Sequence, residues 1–236
     1  MNAVIFGSSG GIGRALTENL VQSGAYSRVF AVSRSGAGIE GATPLTADFL
    51  EETALEAVAQ AIGKEGPVAL CIVASGILSA GDTLQPEKSY RHQSRAAFET
   101  VFAANTIAPA LIAKHMLPLT PKKERSVFAA LSARVGSISD NRLGGWHAYR
   151  ASKAALNMLI RNYAIEQARR APGSICAGLH PGTVDTGLSR PFQSGVPDGK
   201  LFTPQQSAAY LLGVIDRLTP EDSGKCFDWK GREVPA

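Results

Sequence analysis

Tyr149 and Lys153, in the run Ala148-Tyr149-Arg150-Ala151-Ser152-Lys153, set a phenol and an amine four residues apart at the start of a strongly helical stretch. Positions i and i+4 of a helix stand one above the other, about 5 to 6 Å apart at Cβ, so the ammonium can act on the ionisation of the phenol. A free tyrosine, with a pKa of about 10, is almost wholly protonated at neutral pH, and a neighbouring cation favours the phenolate. The pair is expected to exchange protons near neutrality. The spacing alone also fits a surface helix with an aromatic and a lysine on its wet side, so the surrounding chain must decide.

The next informative run is Gly7-Ser8-Ser9-Gly10-Gly11-Ile12-Gly13-Arg14, which follows an apolar strand pattern and opens an amphipathic one. Glycines there let the backbone turn tightly and approach a pyrophosphate, which rests on the free N–H groups and positive end of the following helix. The next strand pattern ends in Ser33-Arg34, with no carboxylate where NAD-specific proteins place one. A cation beside a hydroxyl suits the 2′-phosphate of NADP, whereas the plainer reading makes Arg34 a solvated loop residue. Asp48, with Phe49 after it, either lies near an adenine or caps the helix that follows.

These residues need a scaffold, and the patterning supplies one. Short apolar, β-branched runs at 3–6, 28–32, 43–47, 69–73, 126–131, 174–179 and 224–228 predict seven strands. Helical periodicity predicts helices at 12–22, 51–64, 94–117, 147–169 and 204–217. Strand and helix alternating this way imply an α/β single domain over residues 1–236, a doubly wound, mainly parallel sheet with helices on both faces. Two segments break the rhythm, 133–146 and the Gly, Ser and Pro-rich 183–202. Both follow strand ends, where open α/β sheets bind ligands, and the second reads as a substrate loop.

Composition excludes several classes. The 44% hydrophobic and 19% charged shares are those of an ordinary globular chain. The net charge of +4 comes from scattered Lys and Arg with no basic run interleaved with aromatics, so no nucleic-acid partner is expected. Cys71, Cys176 and Cys226 lie in apolar strands and read as reduced buried thiols, and His92, His115, His147 and His180 have no metal-ligand spacing. His147, Trp146 and Leu143 are candidates for pocket lining. The apolar stretch 106–119 is broken by Pro109, Lys114, His115 and Pro118, too short to span a bilayer, and the N-terminus enters a strand directly. A cytoplasmic protein without membrane contact is the expectation.

The glycine loop, Asn105, the Tyr149/Lys153 pair and Pro181-Gly182-Thr183-Val184-Asp185-Thr186 resemble the short-chain dehydrogenase/reductase family over nearly the whole chain. Gly136-Ser137-Ile138, Asn141, Gly144-Gly145, the run 148–157 and the ending Asp228-Trp229-Lys230-Gly231 resemble more narrowly the C-factor and sniffer-type carbonyl reductases. The resemblance implies a Rossmann fold and hydride transfer between a nicotinamide cofactor and a small-molecule carbonyl or alcohol, and with Ser33-Arg34 the expected cofactor is NADP(H) rather than NAD. The alternative it offers is a C-factor-type signalling or sensing protein that binds cofactor with little catalysis.

By the same resemblance Tyr149 is the acid/base, Lys153 lowers its pKa and holds the nicotinamide ribose, and Asn105 steadies a water that feeds protons to the lysine. The implied cofactor set is Gly7, Ser9, Gly11, Ile12, Gly13, Ser33, Arg34, Asp48, Phe49, Ala74, Ser75, Gly76, Asn105, Tyr149, Lys153, Pro181, Gly182, Val184 and Thr186, with no metal. A homodimer or homotetramer is implied too, built on the apolar-rich Tyr/Lys helix. Three departures stand out. The usual serine pair, whose second member is catalytic, reads Ser132-Ala133, leaving Ser132 or Ser137 to orient the substrate. Val73-Ala74-Ser75-Gly76 replaces Asn-Asn-Ala-Gly, and Phe6 precedes the first glycine.

Overall fold

In the computed structural model, which describes residues 1–81 and 83–236, the inner strands send successive apolar side chains to two opposite faces. The strands are β1 (Asn2–Phe6), β2 (Val29–Ser33), β3 (Thr43–Thr46), β4 (Val68–Val73), β5 (Ser126–Leu131), β6 (Ser174–His180), β7 (Thr183–Val184), β8 (Leu201–Phe202), β9 (Cys226–Asp228) and β10 (Glu233–Val234). The main sheet runs β10-β9-β6-β5-β4-β1-β2-β3, parallel except for the β9–β10 pair.

On one face Val4, Phe6, Phe128, Ala130 and Cys176 pack against α2 (Glu52–Lys64), α4 (Ala108–Met116) and α5 (His147–Arg170). On the other, Ile5, Leu70, Val127, Ala129 and Leu179 meet α1 (Gly11–Ser23) and α6 (Pro204–Arg217). The inner strands of the main sheet bury both faces, which is why they read as continuous apolar runs rather than alternating ones. All seven expected strands and the doubly wound class are present.

Among the described residues the main sheet has eight strands, not seven. The two-residue β10 turns back on β9 through Lys230-Gly231, with Gly231 at φ 81°, and is too short to leave a periodic signal. The segment 183–202 is likewise not wholly irregular, because β7 and β8 pair within it as a separate ladder. The helix expected over 94–117 is broken into α3 (Arg95–Phe102), a π-turn at Ala103–Ile107 and α4. The helical run Arg95–Leu119 is long and apolar enough to cross a membrane, longer than the 106–119 stretch judged from sequence. Here it lies within the fold, with Val101, Asn105, Ile112 and Met116 buried.

Strand order reverses between β1 and β4, and their carboxyl ends open a crevice there. α1 starts at this crevice and α5 crosses beside it. Thr203 caps α6 through a reciprocal bond with Gln206, with Pro204 in the first turn, and so fixes where the 183–202 segment ends.

Candidate active site

At the crevice two backbones touch. Gly7 has φ 87°, and a Cβ on it would lie 2.9 Å from the Ala74 carbonyl carbon and the Ser75 nitrogen. Gly13 abuts the Gly7 backbone just as closely. The glycine run therefore lets β1, β4 and α1 converge. α1 begins with Gly10 as N-cap, without a side-chain cap and without an acid in its first turn, so its leading N–H groups stay available to an anion. Over Gly11 sits Thr186, whose Cγ2 would be 2.9 Å from a Cβ there, so the 183–202 segment closes onto the loop.

A cavity of about 570 Å³ runs from this loop to α5. It joins Gly11, Ile12, Ala74, Ser75, Gly76, Ser132, Tyr149, Lys153, Pro181, Gly182, Val184 and Thr186, all singled out from sequence. Gly7 and Gly13 act behind this wall as spacers, and Ser9, Ser33, Arg34, Asp48, Phe49 and Asn105 do not line it. Ser33 is buried with its hydroxyl 3.4 Å from that of Ser35, and Arg34 is exposed and makes no ion pair among the described residues. Asp48 closes a local turn by accepting from the Leu50 amide at 3.0 Å, and Glu51, not Asp48, stands at the α2 N-cap. Phe49 packs edge-on against Phe6 in the core.

Tyr149 and Lys153 share one face of α5 and are both buried, Lys153 to 3% exposure. The Lys153 Nζ donates to the Leu131 carbonyl at 2.8 Å and lies 5.9 Å from the centre of the Tyr149 ring. Burial pushes the Lys153 amine down to about 8. It pushes the Tyr149 phenol up to about 12, the reverse of the lowering expected from the pair's spacing. The ammonium is directed at β5, so desolvation outweighs its pull on the phenol.

Asn105 sits in the π-turn and is fully buried. Its Oδ1 accepts from the Ile77 amide at 2.8 Å, while its Nδ2 donates to the Ile77 carbonyl at 2.8 Å and to the Ser152 hydroxyl at 3.2 Å. The Ser152 hydroxyl donates in turn to the Tyr149 carbonyl at 2.8 Å. Gly76 makes this junction possible, because a Cβ there would be 3.0 Å from Asn105 Oδ1 and 3.5 Å from Lys153 Nζ. On the far side Gly136 presses on α5, where a Cβ would come within 2.8 Å of the Lys153 Cβ.

The serine question takes a definite geometric form. Ser132 reaches the cavity wall, but its hydroxyl donates to Asn157 Oδ1 at 2.6 Å. Ser137 is buried off the cavity, accepting from the Asp140 amide at 3.1 Å. The residue packed in the Tyr149 cluster, with Leu78 and Ala148, is Ala133. Asn157 extends the Tyr149/Lys153 ridge by one more i+4 step, a signal present in the sequence but not followed. His180 also lines the cavity, and burial lowers it to about 4, so it is neutral at physiological pH. His147 and Leu143 do not line the cavity, whereas Trp146 does.

Two buried hydroxyls at the crevice, on Ser8 and Ser75, have no partner among the described residues. Open helix amides, orphaned hydroxyls and side-chain-free glycines together fit a dinucleotide lying along the crevice.

Comparisons agree with this geometry. Residues 1–196 match the family described as short chain dehydrogenase. The C-signal of Myxococcus xanthus is 40% identical over 134 residues, 57% of this chain and 75% of that one. A 1-hydroxy-2-glutathionyl-2-methyl-3-butene dehydrogenase of Rhodococcus sp. (strain AD45) is 37% identical over 121 residues, 51% of this chain and 50% of that one. Among solved structures, a carbonyl reductase from Pseudomonas aeruginosa PAO1 superposes with a TM-score of 0.78 at 25% identity, covering 100% of this chain and 99% of that one. An NADPH-bound carbonyl reductase from chicken fatty liver has the same fold, with a TM-score of 0.84 at 24% identity over 100% of this chain and 94% of that one.

The buried ammonium has a stability cost. The Lys153 pKa falls from 10.5 to about 8. That difference corresponds to about 3 kcal/mol of penalty, present below the folded value and relieved as pH rises toward the unfolded one, where the unfolded chain binds the extra proton. Lys153→Met is expected to raise the unfolding free energy of the ligand-free protein by about 1 to 3 kcal/mol at about pH 7, with little gain left at about pH 10. Denaturant unfolding at the two pH values checks this. A variant less stable than the parent at both would contradict it.

Proposed function

The chain belongs to the short-chain dehydrogenase family of oxidoreductases, and we propose that it is an NADP(H)-dependent carbonyl reductase in which Tyr149 is the acid/base. The observation that carries this reading is the pairing of a buried, protonated Tyr149 with a buried Lys153 on the wall of one cavity that also holds the glycine loop.

A bound nicotinamide cofactor supplies or accepts the hydride. The chain's residues do the rest. Gly11, Ile12 and the start of α1 would hold the diphosphate, with Ser9 and Ser75 beside it, and Ser33 with the unpaired Arg34 would meet a 2′-phosphate. Pro181, Gly182, Val184 and Thr186 would close over the nicotinamide. Tyr149, kept protonated by burial, donates its proton to the carbonyl oxygen in reduction and takes it back in oxidation. Lys153, turning from the Leu131 carbonyl to the ribose, stabilises the phenolate left behind. Asn105 fixes the Ile77 backbone and the Ser152 hydroxyl around the lysine, where a water can relay its proton.

The reaction end of the cavity is walled by Leu78, Val135, Trp146, Leu188, Phe192 and Val196. An apolar carbonyl compound of small or medium size fits such walls. Three buried free thiols support a reducing, cytoplasmic setting. Met158, exposed on α5, supports a homodimer or homotetramer through that helix.

A second reading, a cofactor-binding signalling protein with little turnover, draws on Ala133 beside Tyr149 and on the similarity to C-signal. In the first reading the Ser132 hydroxyl, spent on Asn157, contributes little to orienting substrate.

Two outcomes are expected. Tyr149→Phe lowers kcat for NADPH-dependent reduction of apolar ketones by about 100-fold or more while leaving NADPH affinity within about threefold. Equal turnover by both proteins sinks the mechanism, and NADPH binding without turnover on a broad ketone panel favours the second reading. Ser132→Ala changes kcat by less than about threefold, whereas Ala133→Ser, which puts a donor beside Tyr149, raises it about tenfold. The opposite ranking in steady-state kinetics would return the orienting role to Ser132.

A further inference from the structure

The helix that carries Tyr149 begins in an unusual way. Trp146, its N-cap, has φ 51° and ψ 44°, the one positive φ outside glycine among the described residues, and contributes no side-chain cap. A bulky residue enters this left-handed region only when its surroundings hold it there. The first turn of α5 has no acid of its own.

The missing partners come from Glu87, in the segment between β4 and α3, which is 5% exposed. Its backbone carbonyl accepts from the Trp146 amide at 2.5 Å. Its carboxylate accepts from the Ala148 amide, each oxygen at 3.3 Å. Gly145 lets the two segments close, since a Cβ there would be 3.3 Å from the Glu87 carbonyl oxygen. One buried residue thus supplies both the tie that holds Trp146 left-handed and the cap that the helix lacks.

What the clamp holds is the reaction end of the cavity. The Trp146 ring stands edge-on to Tyr149 at 6.3 Å and against Phe192 at 5.2 Å. We propose that Glu87 is the positioning residue of this corner, fixing the start of α5 so that Trp146 forms the substrate wall and Tyr149 faces the substrate oxygen. The cofactor half of the cavity, at the glycine loop, lies outside its reach. Only the kinetic part of this inference rests on the carbonyl reductase reading.

Three variants separate reach from charge. Glu87→Gln keeps the length and the acceptor, Glu87→Asp keeps the charge but falls one methylene short, and Glu87→Ala keeps neither. Amide hydrogen exchange across residues 146–149 is expected to accelerate about tenfold in the Asp and Ala variants and to stay within about threefold of the parent in the Gln variant. With NADPH and an apolar ketone, kcat/KM for the ketone falls about tenfold or more in Asp and Ala and is retained in Gln, while the NADPH dissociation constant changes less than about twofold in all three. Parent-like exchange in the Asp variant, a Gln variant as impaired as Ala, or NADPH affinity falling in step with turnover would each overturn the proposal. Should Ala not fold, the Asp and Gln variants decide it. Should no ketone be turned over by the parent, the exchange measurement still decides the clamp, and the failure falls on the carbonyl reductase reading alone.

Discussion

The constraint on which the rest of the site depends is the burial of one ammonium group. Lys153 stands at the meeting of β5, α5 and the β4 loop, and each of those elements gives up something to let it in. The loop after β4 carries Gly76 because any side chain would press on Lys153 and Asn105. The turn after β5 carries Gly136 because a Cβ there would strike the lysine's own stem. The helix facing both relaxes into a π-turn around Asn105, and such turns inside α-helices occur frequently at functional sites. Among the described residues the amine's one hydrogen bond goes to the Leu131 carbonyl. A group held this expensively is poised for a partner, and the ribose and phosphates of a dinucleotide in the adjoining crevice are of the right chemistry.

That arrangement divides the cavity into two halves with different rules. The half at the glycine loop is built from backbone, from Gly7, Gly13 and the first amides of α1, and its shape follows from strand order as much as from side chains. The half at the start of α5 is built from side chains, Tyr149, Trp146, Leu78 and Phe192, and depends on how α5 starts. Tyr149 belongs to the second half and Lys153 joins them. Burial has opposite signs on the two groups, raising the phenol and lowering the amine, so both protonation states are set by the same dry surroundings.

Much of this was legible in the chain. The seven expected strands and the helices other than the one over 94–117 appeared because the inner strands are apolar on both faces and those helices keep their period, and because Thr203-Pro204 and the glycine loop mark their own boundaries. The glycine run was legible from local spacing between a strand and a helix, and it gave the Tyr149/Lys153 pair, ambiguous by spacing alone, its meaning. What escaped has a common cause. Glu87 meets Ala148 across 61 positions of chain, and its role depends on a left-handed Trp146 that no pattern announces. The π-turn at Asn105 is a tertiary distortion of a stretch whose local propensity is plain helix. β10 is two residues long. The pKa of Tyr149 went the other way because spacing places the ammonium near the phenol but does not say where it points. Ser132 and Ala133 are neighbours in sequence, yet strand alternation sends one to Asn157 and seats the other against Tyr149.

The central claim is that the buried charge on Lys153 governs proton transfer by Tyr149. The direct measurement is the pH dependence of kcat/KM for NADPH, which reports protonation in the free protein. With the amine at about 8 and the phenol at about 12, the profile should be level toward neutrality and fall about tenfold per pH unit once pH passes about 8. A profile that stays level to about pH 10 would contradict the account.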